Sequence, residues 1–189
     1  MRKRLLIFGP PGAGSSTLAR ELATKLSSPL YEIAEIFSVP EKEFYPRPTD
    51  PSQSSKLYEE LCQTPQWIVT GSIALWDSQI KELLDGVIYL QLLRLKRLDR
   101  LKFRETELYG SSITDPSTRE FKRFNQFMYW ASQFDQAGME RESKILHENW
   151  LRSLKTEILR VDASRSFEDS IQKILQWTSG PETISSSDS

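Results

Sequence analysis

Nine residues near the start constrain the fold more than any others: Gly9-Pro10-Pro11-Gly12-Ala13-Gly14-Ser15-Ser16-Thr17. The apolar run Leu5-Leu6-Ile7-Phe8 leads into them, and such a run stopped by glycine marks a strand buried on both faces. An amphipathic stretch over 15–27 leads out, with Leu18, Leu22 and Leu26 at helical spacing and Ala19 and Ala23 beside them. Strand, glycine loop and helix in that order match the phosphate-binding pattern G-x-x-x-x-G-K-[ST] at both glycines and at the closing hydroxyl. Glycine tolerates positive φ, so successive backbone N–H groups can turn inward around an anion. The helix adds about half a positive charge at its N-terminus. Gly9, Pro11, Gly12, Ala13, Gly14, Ser15, Ser16 and Thr17 are the expected nucleotide-binding residues, with the Ser16 hydroxyl toward a nucleotide-bound Mg²⁺. The plain alternative is a strand-to-helix turn that binds nothing.

One position breaks the pattern: Ser15 stands where lysine is expected. Lysine brings a full positive charge to the outer phosphates, and a hydroxyl cannot replace it. Either that charge comes from elsewhere, or phosphoryl transfer is weak or absent. A second segment offers a source. Arg94, Lys96, Arg97, Arg100, Lys102 and Arg104 stand against Asp99 alone within 94–104, in a chain whose net charge is −1. Arg97, Arg100 and Arg104 share one face of a helix expected over 95–107, and arginine forks match phosphate oxygens two at a time. A solvated helix face is the alternative for any single one of them.

Strand and helix patterns alternate about five times, which argues for a parallel sheet covered by helices on both faces. Further strands are expected at 29–33, at Trp67–Thr70, at 86–92 and at 157–162, and helices at 56–63, 79–84, 139–154 and 167–177. The segment 38–55, with Pro40, Pro46, Pro48 and Pro51, reads as loop. A polar break over 109–116 precedes Ser117-Thr118-Arg119-Glu120, a capping box opening a helix that runs to Gly138. Its aromatics Phe121, Phe124, Phe127, Tyr129 and Trp130 are expected mostly in the core, with stacking on a base as the alternative. A single domain over 1–178 is expected, with a disordered tail over 179–189.

At 189 residues the chain needs no disulfide or metal to fold, and Cys62 and His147 are the only residues of their kinds. That excludes a zinc site built from several Cys and His ligands. Cys62 is expected to be buried, and His147 to be a helix histidine bonded to a neighbouring carboxylate or carbonyl. The near-neutral charge speaks against a general nucleic-acid binder, and no apolar run reaches membrane-spanning length. No signal sequence is apparent, so a cytoplasmic location is expected.

Together these features resemble the adenylate-kinase-like branch of P-loop kinases, and more closely a group of small bacterial P-loop proteins. The carriers are GPPGAGSSTLARELA, WIVTGS with Trp76-Asp77 after it, RLDRLKFRE followed by Tyr109-Gly110, WASQFDQAGMERESKILHENWL and LRVDAS, spread from Arg4 to Trp177. The resemblance implies an α/β P-loop NTPase fold of about five parallel strands, helices on both faces, and a small lid at about 106–118. It also implies catalytic arginines flanking that lid: Arg100 and Arg104 entering it, then Arg119, Arg123 and Arg141 beyond, with Arg141 fitting best. Members of the group often carry Thr or Ser at the lysine position. They also tend to show a close pair of aspartates after the second strand; Glu32-Ile33-Ala34-Glu35 stands there. Glu35 is then the candidate to hold Mg²⁺ through water or accept a substrate proton, with an ordinary exposed loop glutamate as the alternative.

The expected activity is phosphoryl transfer from ATP, with Mg²⁺, to a nucleotide or another small acceptor. Two alternatives stay open: a non-catalytic nucleotide sensor, and a sulfotransferase-like use of the fold with a phosphorylated nucleotide donor and no metal.

Overall fold

The computed structural model describes residues 1–37, 44–76 and 79–180. Asp77 and the tail beyond Gly180 lie outside the described residues. Five strands, β1 (Arg4–Phe8), β2 (Leu30–Glu32), β3 (Trp67–Thr70), β4 (Gly86–Gln91) and β5 (Glu157–Asp162), form one sheet in the order β2-β3-β1-β4-β5. Every neighbouring pair is parallel. The helices are α1 (Ser15–Leu26), α2 (Ile33–Ile36), α3 (Pro51–Gln63), α4 (Arg94–Tyr109), α5 (Arg119–Ser132), α6 (Lys144–Ser153) and α7 (Phe167–Ser179).

The alternation along β1 divides the core in two. Leu6 and Phe8 join Leu57, Leu61, Val69 and Trp150 on one face. Leu5 and Ile7 join Leu18, Leu22, Ile171 and Ile174 on the other, under α1 and α7. Because both faces are covered, β1, β3 and β4 read as continuous apolar runs. From β1 the chain runs to β2 at one edge, returns to β3 beside β1, and then crosses to β4 and β5 on the other side, so the direction of winding changes at β1. In open parallel sheets the crevice beyond the carboxyl end of such a strand is where ligands bind. The 9–14 loop occupies that place.

Several boundaries differ from the sequence expectation, each for a local reason. The 38–55 segment is not loop throughout: α3 starts at Pro51, because Asp50 accepts from the Ser52 N–H at 2.6 Å and proline suits the first helical position. The capping residue of α5 is Thr118, whose Oγ1 accepts from the Phe121 N–H at 3.1 Å, so the cap falls one residue after Ser117. That helix ends at Ser132 rather than Gly138, and α6 begins only at Lys144, capped by Ser143. The 79–84 segment forms only a 3₁₀ turn, Ile80–Leu83. The 109–116 break holds another, Gly110–Ile113. Cys62 is exposed, on the outer side of α3 away from the buried Leu57 and Leu61. Of the α5 aromatics none is fully buried and Tyr129 is 68% exposed.

Candidate functional site

The loop after β1 closes on itself where the Ala13 N–H donates to the Pro10 carbonyl at 3.0 Å. Gly12 and Gly14 take left-handed φ values of 83° and 97°, a region L side chains adopt only at a cost. At Gly12 there is also no space: a Cβ would meet the Arg97 carbonyl oxygen at 2.6 Å and Leu101 Cγ at 2.9 Å. Gly14 is the N-cap of α1, and no side chain caps that end. The first N–H groups of a helix have no partner within it, so Ser15, Ser16 and Thr17 present uncompensated donors to whatever enters the bowl. Ser15 and Ser16 are half-buried and Thr17 is exposed.

Helix α4 borders the bowl. Arg100 Nη1 donates to the Ala13 carbonyl at 3.4 Å and Nη2 to the Ala163 carbonyl at 3.1 Å, tying the loop to the chain after β5. A hollow of about 300 Å³ opens there, between Ala13, Gly14 and Thr17 on one side and Arg100, Arg165 and Phe167 on the other. Arg97 behaves differently from its neighbours on the helix. It is fully buried and ion-paired with Asp135, so it does not face solvent as the shared face with Arg100 and Arg104 suggests.

One turn beyond Arg100, Arg104 lines a second hollow of about 490 Å³ with Phe44, Arg119, Arg123 and Phe127. Its guanidinium is paired with Glu105 at 2.6 Å and lies 5.5 Å from the centre of the Phe127 ring. Arg123 lies 5.6 Å from the Phe44 ring. Arg141 is not among these lining residues; its Nη2 donates to the Trp130 carbonyl at 3.3 Å and its Nε is buried without a partner. The structure thus gathers Arg104, Arg119 and Arg123 at one hollow, keeps Arg100 at the loop, and sets Arg141 against α5.

Glu35 is exposed, 3.7 Å from Arg20. The more enclosed acid is Glu32 at the end of β2, which Arg20 of α1 grips with two bonds at 2.6 and 2.9 Å. Glu32 pairs in register with Thr70 of β3, whose buried hydroxyl has no partner. Among the described residues no group of three or more His, Cys, Asp and Glu side chains is placed to hold a metal.

No family model matches the chain. It is 28% identical over 179 residues to YqaC of Bacillus subtilis (strain 168), described as an uncharacterised protein, spanning 95% of this chain and 99% of that one. It is 28% identical over 141 residues to a cytidylate kinase of Saccharolobus islandicus, spanning 65% of this chain and 72% of that one. Its fold superposes on the deoxyadenosine kinase of M. mycoides with bound dATP at a TM-score of 0.56, with 13% identity and 93% and 99% of the two chains covered.

The fold is that of the P-loop NTPase kinases.

Sequence reasoning missed three features of the site. Arg20 gives no local sign of its two acid partners, since Glu32 lies twelve residues on, across a turn. The Arg97–Asp135 pair joins residues 38 apart. The third is a buried network: Glu142 accepts from Ser72 Oγ at 3.1 Å with one oxygen and meets His147 Nε2 at 2.5 Å with the other. Tyr89 lies 3.4 Å from the opposite ring nitrogen. His147 lies on α6 with a carboxylate partner, as expected, and the structure adds that it is fully buried. The Tyr45 hydroxyl, buried and facing Glu142, is pushed well above its ordinary value of 10.0, first by burial and then by that acid.

Proposed function

We propose that the chain is a nucleotide-dependent phosphotransferase of adenylate-kinase-like type, moving the γ-phosphoryl group of ATP to a nucleotide or another small acceptor. The observation that carries this reading is the uncapped N-terminus of α1 behind the Gly12–Gly14 bowl, with Arg100 at the rim. Gly12 lets the loop pack directly on α4, since the Arg97 carbonyl oxygen and Leu101 fill the place of a Cβ, and this contact sets Arg97 and Arg100 of α4 beside the loop. ATP with Mg²⁺ supplies the transferable group and part of the charge shielding. Ser16, whose hydroxyl stands in the first turn of α1, and Thr70, whose hydroxyl lacks a partner, are the residues that fit beside the metal. With no acidic cluster among the described residues to hold it, the metal would take most of its ligands from the nucleotide.

In this reading the loop amides bind the phosphates, and Arg100, Arg104 and Arg123 offset charge developing during transfer. Arg141 joins them only by moving off the Trp130 carbonyl. Glu35 accepts a proton only after leaving Arg20. Residues 106–118 form the lid, and its closure excludes water from the two hollows. ATP as donor fits a cytoplasmic setting. Among the described residues no helix is long and apolar enough to cross a membrane.

A thermal-unfolding series with ATP, ADP, AMP and adenosine 3′,5′-bisphosphate, each with Mg²⁺ and with EDTA, tests the site. A ligand at a hundred times its Kd stabilises the native state by about 2.7 kcal/mol, a shift of roughly 5–10 °C for a domain of this size. A Mg²⁺-dependent ATP shift is expected. A metal-independent shift with the bisphosphate favours the sulfotransferase-like reading instead, and no shift with any ligand overturns nucleotide binding.

One arrangement favours a second reading, a nucleotide sensor without turnover. Ser15 lacks the lysine charge, and Arg20 occupies both Glu32 and Glu35. A sensor binds ATP or ADP yet transfers no label from [γ-³²P]ATP to a pooled set of small-molecule acceptors. Ser15→Lys then raises affinity and leaves turnover absent.

A further inference from the structure

The phosphate loop exposes carbonyl oxygens as well as amides, and an anion-binding bowl works only if those carbonyls point away from the ligand. Four carbonyls of the loop have partners, Gly14 accepting from the Leu18 N–H at 3.1 Å as α1 begins. Pro10 accepts from the Ala13 N–H within the loop, at 3.0 Å. The other two are taken from outside, both by α4: Pro11 by Arg97 Nη1 at 3.3 Å and Ala13 by Arg100 Nη1 at 3.4 Å.

Arg97 is the unusual member. It is fully buried, and its three nitrogens reach three separate parts of the chain. Nε donates to the Leu92 carbonyl at the exit of β4 at 3.1 Å, Nη1 to the loop, and Nη2 to Asp135 in the connection between α5 and α6. The guanidinium also lies 5.3 Å from the centre of the Phe134 ring. Its own carbonyl is the atom that crowds Gly12. Burial works against its charge, and Asp135 offsets that cost.

Stability alone is a poor reason for such a residue. A buried ion pair is often no better than well-packed apolar side chains of the same volume. What an apolar side chain cannot do is fix the direction of two carbonyls at once while holding a third group at a set distance. The rigid fork of an arginine can.

We propose that Arg97, held by Asp135, is a positioning residue of the phosphate loop: it keeps the Pro11 carbonyl turned outward and so sets the loop in its anion-accepting shape. The proposal rests on the nucleotide-binding reading of the loop and adds to it how a loop without lysine keeps its form. It also joins the loop to the α5–α6 connection, so that displacement of Asp135 is felt at the phosphates.

The test uses the full chain with Arg97→Lys and Asp135→Asn, and Leu61→Ala as a destabilised control in the core on the other face of the sheet, in a cluster that holds no residue of 9–18. Asp135 is partly exposed, with 34% of its side chain accessible, and Asp135→Asn keeps its volume and a hydrogen-bond acceptor for Arg97, so this variant is expected to fold even where an Arg97 variant does not. Two readouts are taken. The first needs no ligand: hydrogen exchange of the peptide covering Gly9–Leu18. The second is calorimetric affinity for ADP with Mg²⁺ and for tripolyphosphate, which has no base and reports on the loop alone. Both variants at the pair are expected to speed exchange in the loop and to weaken both ligands in equal proportion, Arg97→Lys by about tenfold or more, the scale of a lost charge-assisted hydrogen bond. The control is expected to lose thermal stability with loop exchange and affinity unchanged. Wild-type exchange and affinity in both variants overturn the proposal, as does an equal loss in the control. If wild type binds neither ligand while loop exchange still answers to Arg97, the nucleotide reading falls and the positioning role stands.

Discussion

Gly12 shows how one residue ties the fold to the proposed chemistry. Its φ of 83° and the Arg97 carbonyl 2.6 Å from its absent Cβ leave no room for any side chain. Gly12→Ala combines backbone strain of about 1–3 kcal/mol with displacement of α4 or of the loop. We expect unfolding lower by roughly 2–12 °C and complete loss of the ATP-dependent shift; an ATP shift retained in the variant contradicts a phosphate site here. Glu142 makes the complementary case, a residue whose importance is internal. Ser72, His147 and Tyr45 all turn to its carboxylate in a buried space. Glu142→Ala leaves Ser72 Oγ and His147 Nε2 without their carboxylate partner, at a cost of about 3–5 kcal/mol, the range for breaking a buried pair. Differential scanning calorimetry should then give a midpoint lower by roughly 6–20 °C. Cys62→Ser, on the exposed side of α3, is expected to leave the midpoint unchanged.

Among the elements, α4 carries the most, because its successive turns serve different neighbours. Arg97 faces the core, Arg100 the loop and Arg104 the aromatic hollow. Arg100→Ala removes an exposed side chain bonded only to two carbonyls, so we expect equilibrium unfolding to be almost unchanged. Nucleotide affinity, measured by calorimetry, should fall about tenfold, as for one charge-assisted hydrogen bond. Equal affinity in the variant contradicts a role for this arginine at the phosphates. Much of the element layout was legible beforehand, since β1, β3 and β4 are uninterrupted apolar runs and α1 keeps its leucines at helical spacing. The glycine loop was legible because its pattern is local and needs no partner from elsewhere. What stayed hidden was long-range pairing. The stripe of arginines on α4 reads as one charged face, and only the approach of Asp135 and of the loop carbonyls separates its members. Proline density concealed the start of α3 for the opposite reason: Pro51 breaks a helix from within but suits its first turn.

For the molecule as a whole, charge balance decides how the fold responds to acid. Lys and Arg number 25 against 26 Asp and Glu, so self-repulsion is small near neutrality and grows as carboxylates protonate. Several acids sit below their ordinary values in the folded state. Glu148 of α6 is lowered first by two hydrogen bonds from Arg160 of β5, at 2.8 and 2.7 Å. Asp162 is lowered by its bonds to Ser164, and Asp50 by those to Ser52. A carboxylate depressed on folding contributes stability that is fully present above its unfolded value, 4.5 for Glu148 and 3.8 for the aspartates, and is lost as pH falls through the lower folded value. Urea midpoints should therefore hold level from pH 7 to about 5 and decline steadily below that. Glu148→Gln isolates one contribution, because it keeps the shape and a hydrogen-bond acceptor for Arg160 while removing the titration. Its midpoint should lie below wild type at pH 7, and the gap should narrow as pH drops toward 3, where wild type has lost the same charge. A gap that stays constant across that range makes the α6–β5 tie one of packing alone, and the acid sensitivity then belongs to the other lowered carboxylates and to the 25 cations left unopposed.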